Sequence, residues 1–270
     1  MNRRPWQLYT AMAFGYAFLY IPIASLIIYS FNKSRLVTVW GGFSTAWYGR
    51  LFDNAQILSA AWRSFLIASG SATLAVVIGT AAGLTLARFG RFPGRGLLSL
   101  MSSAPLVMPE VMLGLSALLL FVSMQELIGW PTRGMSTITL AHVTFTACYV
   151  TVVVRSRLTM MDDSLEEAAM DLGARPWKVF FLITLPLIAP ALLAGWLLAF
   201  TLSLDDLVVA SFTSGPGAST LPMLIYSKVK LGVTPEINAL ATLVVTLVMI
   251  LVSIAGILLH RQQKQQQRGA

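Results

Sequence analysis

Glu167-Ala168-Ala169-Met170-Asp171-Leu172-Gly173, separated by nine residues from Ile183-Thr184-Leu185-Pro186, is a polar, helix-punctuated stretch set between long apolar runs. Its local chemistry predicts a short helix. Ser164-Leu165-Glu166-Glu167 has capping-box spacing, in which the Ser164 hydroxyl accepts from the backbone N–H near Glu167 and Glu167 reaches back to the Ser164 N–H. Asp162, Asp163 and Glu166 place negative charge at the positive end of that helix, and Gly173 supplies the left-handed residue that ends it. Pro176 then suits the first turn of a second helix. Leu165, Ala168 or Ala169, and Leu172 recur at three-to-four spacing, and the small residues among them allow a partner's backbone to approach. On capping and periodicity alone, a surface helix that stabilises its own loop accounts for the pattern.

Outward from this loop the chain is apolar. Its 270 residues are 56% hydrophobic and only 11% charged, with a mean hydropathy of +0.74, against about a quarter charged in soluble domains. Six runs are near the length needed to cross a bilayer: Leu8 to Phe31, Phe65 to Leu86, Ser102 to Val122, Thr137 to Val154, Leu187 to Leu204 and Ala239 to Leu259. In lipid each must be helical, because an open strand would leave backbone groups unpaired. The expected fold class is an all-α membrane protein of six transmembrane helices.

Lys and Arg set the orientation. Arg3, Arg4, Arg88, Arg91, Arg95, Arg155, Arg157, Arg175, Lys178, Arg261, Lys264 and Arg268 fall on one side of the alternating spans. Lys33, Arg35, Arg50, Arg63, Arg133, Lys228 and Lys230 fall on the other. The first set is larger and nearer the span ends, which predicts cytoplasmic N and C termini and a cytoplasmic Glu167 loop. The first run is too long for a cleavable signal and no small-residue cleavage site follows it. Thr45 to Arg63 mixes aromatic, aliphatic and polar residues as a helix lying in the outer interface would. The basic, Gln-rich tail 260–270 reads as a disordered cytoplasmic end.

A net charge of +8 does not indicate nucleic acid here, since the cations are dispersed among loops and not gathered into a stripe. Cys148 stands alone, and His142 and His260 have no metal-site spacing, so both histidines read as packed or interfacial residues. A membrane enzyme would need a nucleophile with a base at membrane depth; neither His142 nor Cys148 has a partner of suitable spacing. An ion-driven secondary transporter would show inverted repeats and broken ion-site helices, and no internal repeat is evident.

Three carboxylates stand within or at the end of apolar runs: Glu110, Asp205 and Asp206. Such groups are costly in lipid and usually face an aqueous path or a partner. They would attract a cationic cargo, with Trp196 adding a cation-π contact. Each has a structural alternative: Glu110 follows the helix breaker Pro109 and can neutralise the start of a half-helix, and Asp205 or Asp206 can cap the next helix. Pro186 and Pro190 would kink the fifth run, and Gly215-Pro216-Gly217 reads as a mobile outer loop.

Glu-Ala-Ala, three residues, Gly, nine residues, Ile-x-Leu-Pro matches every fixed position of the signature of membrane subunits of binding-protein-dependent ABC importers, and the chain resembles that family. The resemblance implies a type I importer transmembrane domain in which Glu167, Ala168, Ala169 and Gly173, with Leu165 and Leu172, dock on a separate ATPase. It divides the chain into 1–60 (first helix and outer interfacial segment), 61–259 (transporter domain with coupling loop 155–186) and 260–270 (tail). No Gly-x4-Gly-Lys-Ser/Thr loop is present, so the chain cannot bind ATP by that device; the resemblance implies a transport subunit that is not itself an enzyme and has no cofactor of its own, with ATP and Mg in the partner ATPase.

Ser30-Phe31-Asn32, Leu36-Val37-Thr38-Val39-Trp40, Ala104-Pro105-Leu106-Val107-Met108-Pro109-Glu110, Leu202-Ser203-Leu204-Asp205-Asp206, Ser214-Gly215-Pro216-Gly217 and Pro235-Glu236-Ile237-Asn238-Ala239-Leu240 further resemble permeases of putrescine and spermidine importers, most of all the putrescine permeases. The implied partners are a second permease, an ATPase dimer, a periplasmic polyamine-binding protein and the bacterial inner membrane. The same machine carrying another cargo, such as ferric ion, is the alternative.

Overall fold

A computed structural model describes residues 5–36, 39–232, 234–246 and 249–250. These are helical throughout their length apart from connecting loops, in the order α1 (Pro5–Ser30), α2 (Ala46–Asp53), α3 (Ala55–Arg88), α4 (Arg95–Val107), α5 (Glu110–Ile128), α6 (Met135–Thr159), α7 (Ser164–Asp171), α8 (Pro176–Val179), a π-helical turn Phe180–Thr184, α9 (Leu185–Leu204), α10 (Val208–Thr213) and α11 (Leu221–Leu231). Residues 235–246 are helical as well. Among the described residues five helical stretches are long and apolar enough to span a membrane: Leu8–Ser30, Ala55–Arg88, Glu110–Ile128, Met135–Thr159 and Pro176–Leu204. The expected sixth run continues to Leu259, and its residues from 251 onward, like the tail 260–270, lie outside the described residues.

Several expected boundaries move, each for a local reason. The expected interfacial segment Thr45 to Arg63 is divided. Only α2 stands apart, and Asn54, whose Oδ1 accepts from the N–H groups of Gln56 (3.1 Å) and Ile57 (3.3 Å), starts α3 ten residues earlier than Phe65. The expected third span Ser102 to Val122 is not one helix. Pro109 lacks the N–H that would continue it and holds Met108 extended (φ −75, ψ 139), so α4 ends and α5 begins afresh at Glu110. The fifth span begins at Pro176 and not at Leu187, because the π-helical turn joins α8 to α9 without a break and the helix continues through Pro186 and Pro190.

The chain forms two compact units, 1–58 with 225–270, and 59–224. In the first, Asn32 is fully buried and organises the loop after α1. Its Nδ2 donates to the carbonyls of Leu36 (3.2 Å) and Val39 (2.8 Å), and its Oδ1 accepts from Ser34 N–H (3.1 Å) and Gly41 N–H (2.8 Å). The indole of Trp47 on α2 donates to the Asn32 carbonyl at 2.7 Å. Glu236 accepts from Asn54 Nδ2 at 2.7 Å and pairs with Lys228 at 3.5 Å.

The second unit is built around α6, which has 61% of its apolar window buried against 11% for α5 and 17% for Pro176–Leu204. A helix apolar on all sides suits that central place. Ala147, Val150, Val154 and Leu158 of α6 pack with Ala72 and Ala75 of α3 and Ile188 and Ala199 of α9. Thr146 and Thr151 donate to the carbonyls four residues back, which satisfies their hydroxyls inside the bundle. Gly79 and Gly83 bring the α3 backbone onto α6: a Cβ at Gly79 would lie 2.8 Å from the Ala147 carbonyl oxygen, and one at Gly83 3.2 Å from that of Thr151. This is the small-residue spacing by which membrane helices approach closely. Gly215, expected in a mobile loop, is seated against Arg133, whose carbonyl oxygen would be 2.1 Å from an added Cβ.

Candidate functional site

Two places in the second unit gather the residues singled out in the sequence. The first is α7. No residue of this helix is buried; Glu167, Ala168 and Leu172 are exposed, with Leu172 90% exposed and Leu165 49%. Leu165, Ala168 and Leu172 share one face by spacing, so the helix presents an apolar knob to solvent with Glu167 beside it, while Ala169 is half-buried.

The capping box does not form. Asp163 occupies the N-cap without a side-chain bond, and the Ser164 N–H donates instead to Asp162 Oδ1 at 3.0 Å. That backbone bond holds the Asp162 carboxyl below the usual carboxylate range. An Asx turn has displaced the Ser-Glu exchange, because Asp162, two residues before Ser164, takes the Ser164 N–H that Glu167 would have reached. The C-terminus is as expected. Gly173 has φ +85, its N–H donates to the Met170 carbonyl (2.8 Å), and Ala174 N–H donates to that of Ala169 (3.0 Å), the two bonds of a Schellman end. Pro176 starts α8.

The inward-facing carboxylate here is Glu166 and not its motif neighbour. Glu166 Oε2 lies 3.1 Å from Arg88 Nε at the end of α3, and its Oε1 accepts from Thr184 Oγ1 at 2.7 Å. Arg88 also pairs with Asp163. The sequence singled out Glu167 by motif; the 100° turn per residue of a helix puts Glu166 on the other side.

The second place is a cavity of about 340 Å³ where α4, α5, α6 and the end of α9 meet. Glu110, Asp205 and Asp206 all line it, together with Phe145, Tyr149, Leu202 and Met108. The break at Met108-Pro109 brings Glu110 to the wall as the first residue of α5, where it also faces the positive end of that helix. Asp205 closes α9 with its side chain exposed, while Asp206 is 8% exposed.

Asp206 has fixed partners. Its Oδ2 accepts from Ala210 N–H at 2.7 Å and its Oδ1 from Val209 N–H at 3.3 Å, so it caps α10. Behind it, His142 Nε2 lies 3.1 Å from Oδ2. The fully buried His142 also places Nδ1 2.6 Å from Ser203 Oγ, which is 2.9 Å from Ser71 Oγ. Ser71 Oγ donates to Ser203 Oγ, which leaves the Ser203 hydroxyl to donate to Nδ1 and the Nε2–H to donate to Asp206 Oδ2. The expectation that His142 lacks a partner is therefore corrected. Ser203 and Asp206 lie 61 and 64 positions away, and no local spacing announces them.

Trp196 is not brought to the acids. Its Nε1 donates to Thr73 at 3.1 Å, its ring stacks on Phe200 at 5.2 Å, and it packs against the α3–α6–α9 core. It sits about two and a half helical turns before Asp205, and the aromatic rings at the cavity come from α6, as Phe145 and Tyr149. These were not singled out, because their spacing matches ordinary helix packing.

A family model described as "Binding-protein-dependent transport system inner membrane component" matches residues 75–268. The chain is 58% identical to the putrescine transport system permease protein PotI of Escherichia coli strain K12, over 98% of this chain and 95% of that protein. It is 44% identical to the spermidine/putrescine transport system permease protein PotC of Haemophilus influenzae, over 91% and 93%. Among solved structures, a bacterial ABC transporter that imports the acidic polysaccharide alginate superposes with TM-score 0.71 at 16% identity, over 94% of this chain and 96% of that chain. A second alginate transporter structure, in complex with an alginate pentasaccharide-bound periplasmic protein, gives TM-score 0.72 at 18% identity, over 93% of each. These two likenesses concern the fold.

Proposed function

The chain belongs to the family of inner membrane components of binding-protein-dependent transport systems, and from that premise we propose that it is a permease subunit of an ATP-driven polyamine importer. Its cargo is putrescine or spermidine, and it works with a second permease, a pair of ATPase subunits and a periplasmic binding protein. The observation that carries the cargo assignment is identity with polyamine permeases over nearly the whole chain. The acidic cavity supplies a physical reason. An alkyl diammonium ion meets carboxylates in a setting of low dielectric, where attraction exceeds that in water, and the rings of Phe145 and Tyr149 add cation-π contacts.

In this reading α7 lies in the cytoplasm with both termini. The face carrying Leu165, Ala168 and Leu172, flanked by Glu167 and closed by Gly173, seats in a cleft of the ATPase, which holds ATP and Mg. Asp205 and Glu110 meet the cargo, while Asp206 is committed to α10 and His142 and shapes the wall. The test is ATP hydrolysis by the complete complex in lipid nanodiscs, with its binding protein loaded in turn with putrescine, spermidine or ferric ion. Stimulation by a polyamine supports the reading. Stimulation by ferric ion alone replaces the cargo while keeping the machine.

A further inference from the structure

The junction where α3, α7 and the head of the fifth span meet is a polar clamp whose centre is Glu166. Arg88, the last residue of α3, and Glu166 have side chains only 14% and 15% exposed, with Nε and Oε2 3.1 Å apart. The second Glu166 oxygen accepts from Thr184, itself 2% exposed, at 2.7 Å. One carboxylate thus holds three elements, by an ion pair to Arg88 and a charge-assisted hydrogen bond from Thr184, both sheltered from water, where such contacts are strongest. Thr184 is the last residue of the π-helical turn between α8 and α9. Single π turns interrupt the regular ladder and often mark functional sites. Beside the clamp is a cavity of about 180 Å³ lined by Leu84, Met170 and Phe180 among others, so the junction has room to rearrange.

We infer that Glu166, through Arg88 and Thr184, is the positioning residue that transmits movement of α7 to α3 and α9, while the neighbouring Glu167 faces the partner. This rests on the importer reading above. A pull on α7 acts on Glu166 and is delivered at once to the end of one span and, through the π turn, to the start of another. Without the clamp α7 would still be attached by chain to α6 and α8, but its displacement would be absorbed in the loops 160–163 and 172–175.

The experiment compares Glu166→Gln, Thr184→Val and Thr184→Ser in the complete complex, reconstituted with its ATPase, second permease and loaded binding protein. Three quantities are read: co-purification of the ATPase, ATP hydrolysis, and cargo moved per ATP hydrolysed. Thr184→Val keeps the shape and removes the hydroxyl; Thr184→Ser restores it. Glu166→Gln and Thr184→Val are expected to keep the ATPase bound and to lower cargo per ATP by about tenfold, the factor matching one charge-assisted bond. Thr184→Ser is expected to match the parent. Parental cargo per ATP in both Glu166→Gln and Thr184→Val overturns the inference, and so does loss of the ATPase from either, which would place these residues in docking or folding. A parent chain that never co-purifies with an ATPase overturns the functional reading itself.

Discussion

Glu166-Glu167 and Asp205-Asp206 are two pairs of adjacent acids at opposite kinds of place, one on a solvent-facing helix between spans and the other at a cavity in the bundle. Both pairs divide their work in the same way. Glu166 turns inward to Arg88 and Thr184 while Glu167 is exposed. Asp206 turns inward to His142 and the N–H groups of α10 while Asp205 remains exposed at the cavity. In α7 successive residues point about 100° apart, which separates Glu166 from Glu167, whereas Asp205 and Asp206 are separated by the break between α9 and α10, where Asp206 turns to cap α10. The difference lies in the surroundings. The Glu166 anchor is reached by a flexible Arg from another helix, whereas the Asp206 anchor is held by a rigid, fully buried imidazole and by fixed backbone.

That contrast orders the expected losses. His142→Ala removes a fully buried ring together with the hydrogen bond it gives Asp206 and should cost about 3 kcal/mol, read as a lowered unfolding temperature of the detergent-solubilised complex; a stability equal to the parent's would break the anchor assignment. Glu167→Lys should act on assembly instead, weakening co-purification with the ATPase by a hot-spot margin of about 2 kcal/mol or more while the membrane bundle stays folded. If it still docks and transports normally, the exposed member of the first pair is not the contact.

Asp205→Asn keeps size and removes charge, and polyamine uptake should fall about tenfold, the equivalent of about 1.4 kcal/mol of lost attraction, with assembly unchanged. Normal uptake in both Asp205→Asn and Glu110→Gln would leave the acidic cavity without a role in cargo movement. Asp162→Asn should do the least. Asn still accepts the Ser164 N–H, so α7 keeps its start and both transport and stability should stay within about 0.5 kcal/mol of the parent; a larger loss would show that α7 depends on the charge at its N-terminus.

Much of this was legible without coordinates. Among the described residues five of the six expected spans have a helical counterpart of membrane-crossing length, because a bilayer leaves the backbone few alternatives. Gly173 and Pro176 announced the end of α7 and the start of α8, since φ above zero and a missing N–H are properties of single residues. The capping box failed because Asp162 and Glu167 compete for the one Ser164 N–H, and sequence spacing does not rank such neighbours. Trp196 was misplaced because an aromatic ring in an apolar helix carries no mark of which side it faces.

By itself the sequence determined what depends on composition, period and motif: an all-α membrane bundle, a short exposed helix between spans, and the family to which both belong. Tertiary structure decided which acid of each pair is free, that Glu110 shares a cavity with Asp205 across some 95 positions of chain, and that His142 finds Ser203 and Asp206. Those outcomes rest on how helices rotate and meet. Their energies come from desolvated contacts between residues far apart in sequence, and no local pattern encodes the angle at which two helices bring such groups together.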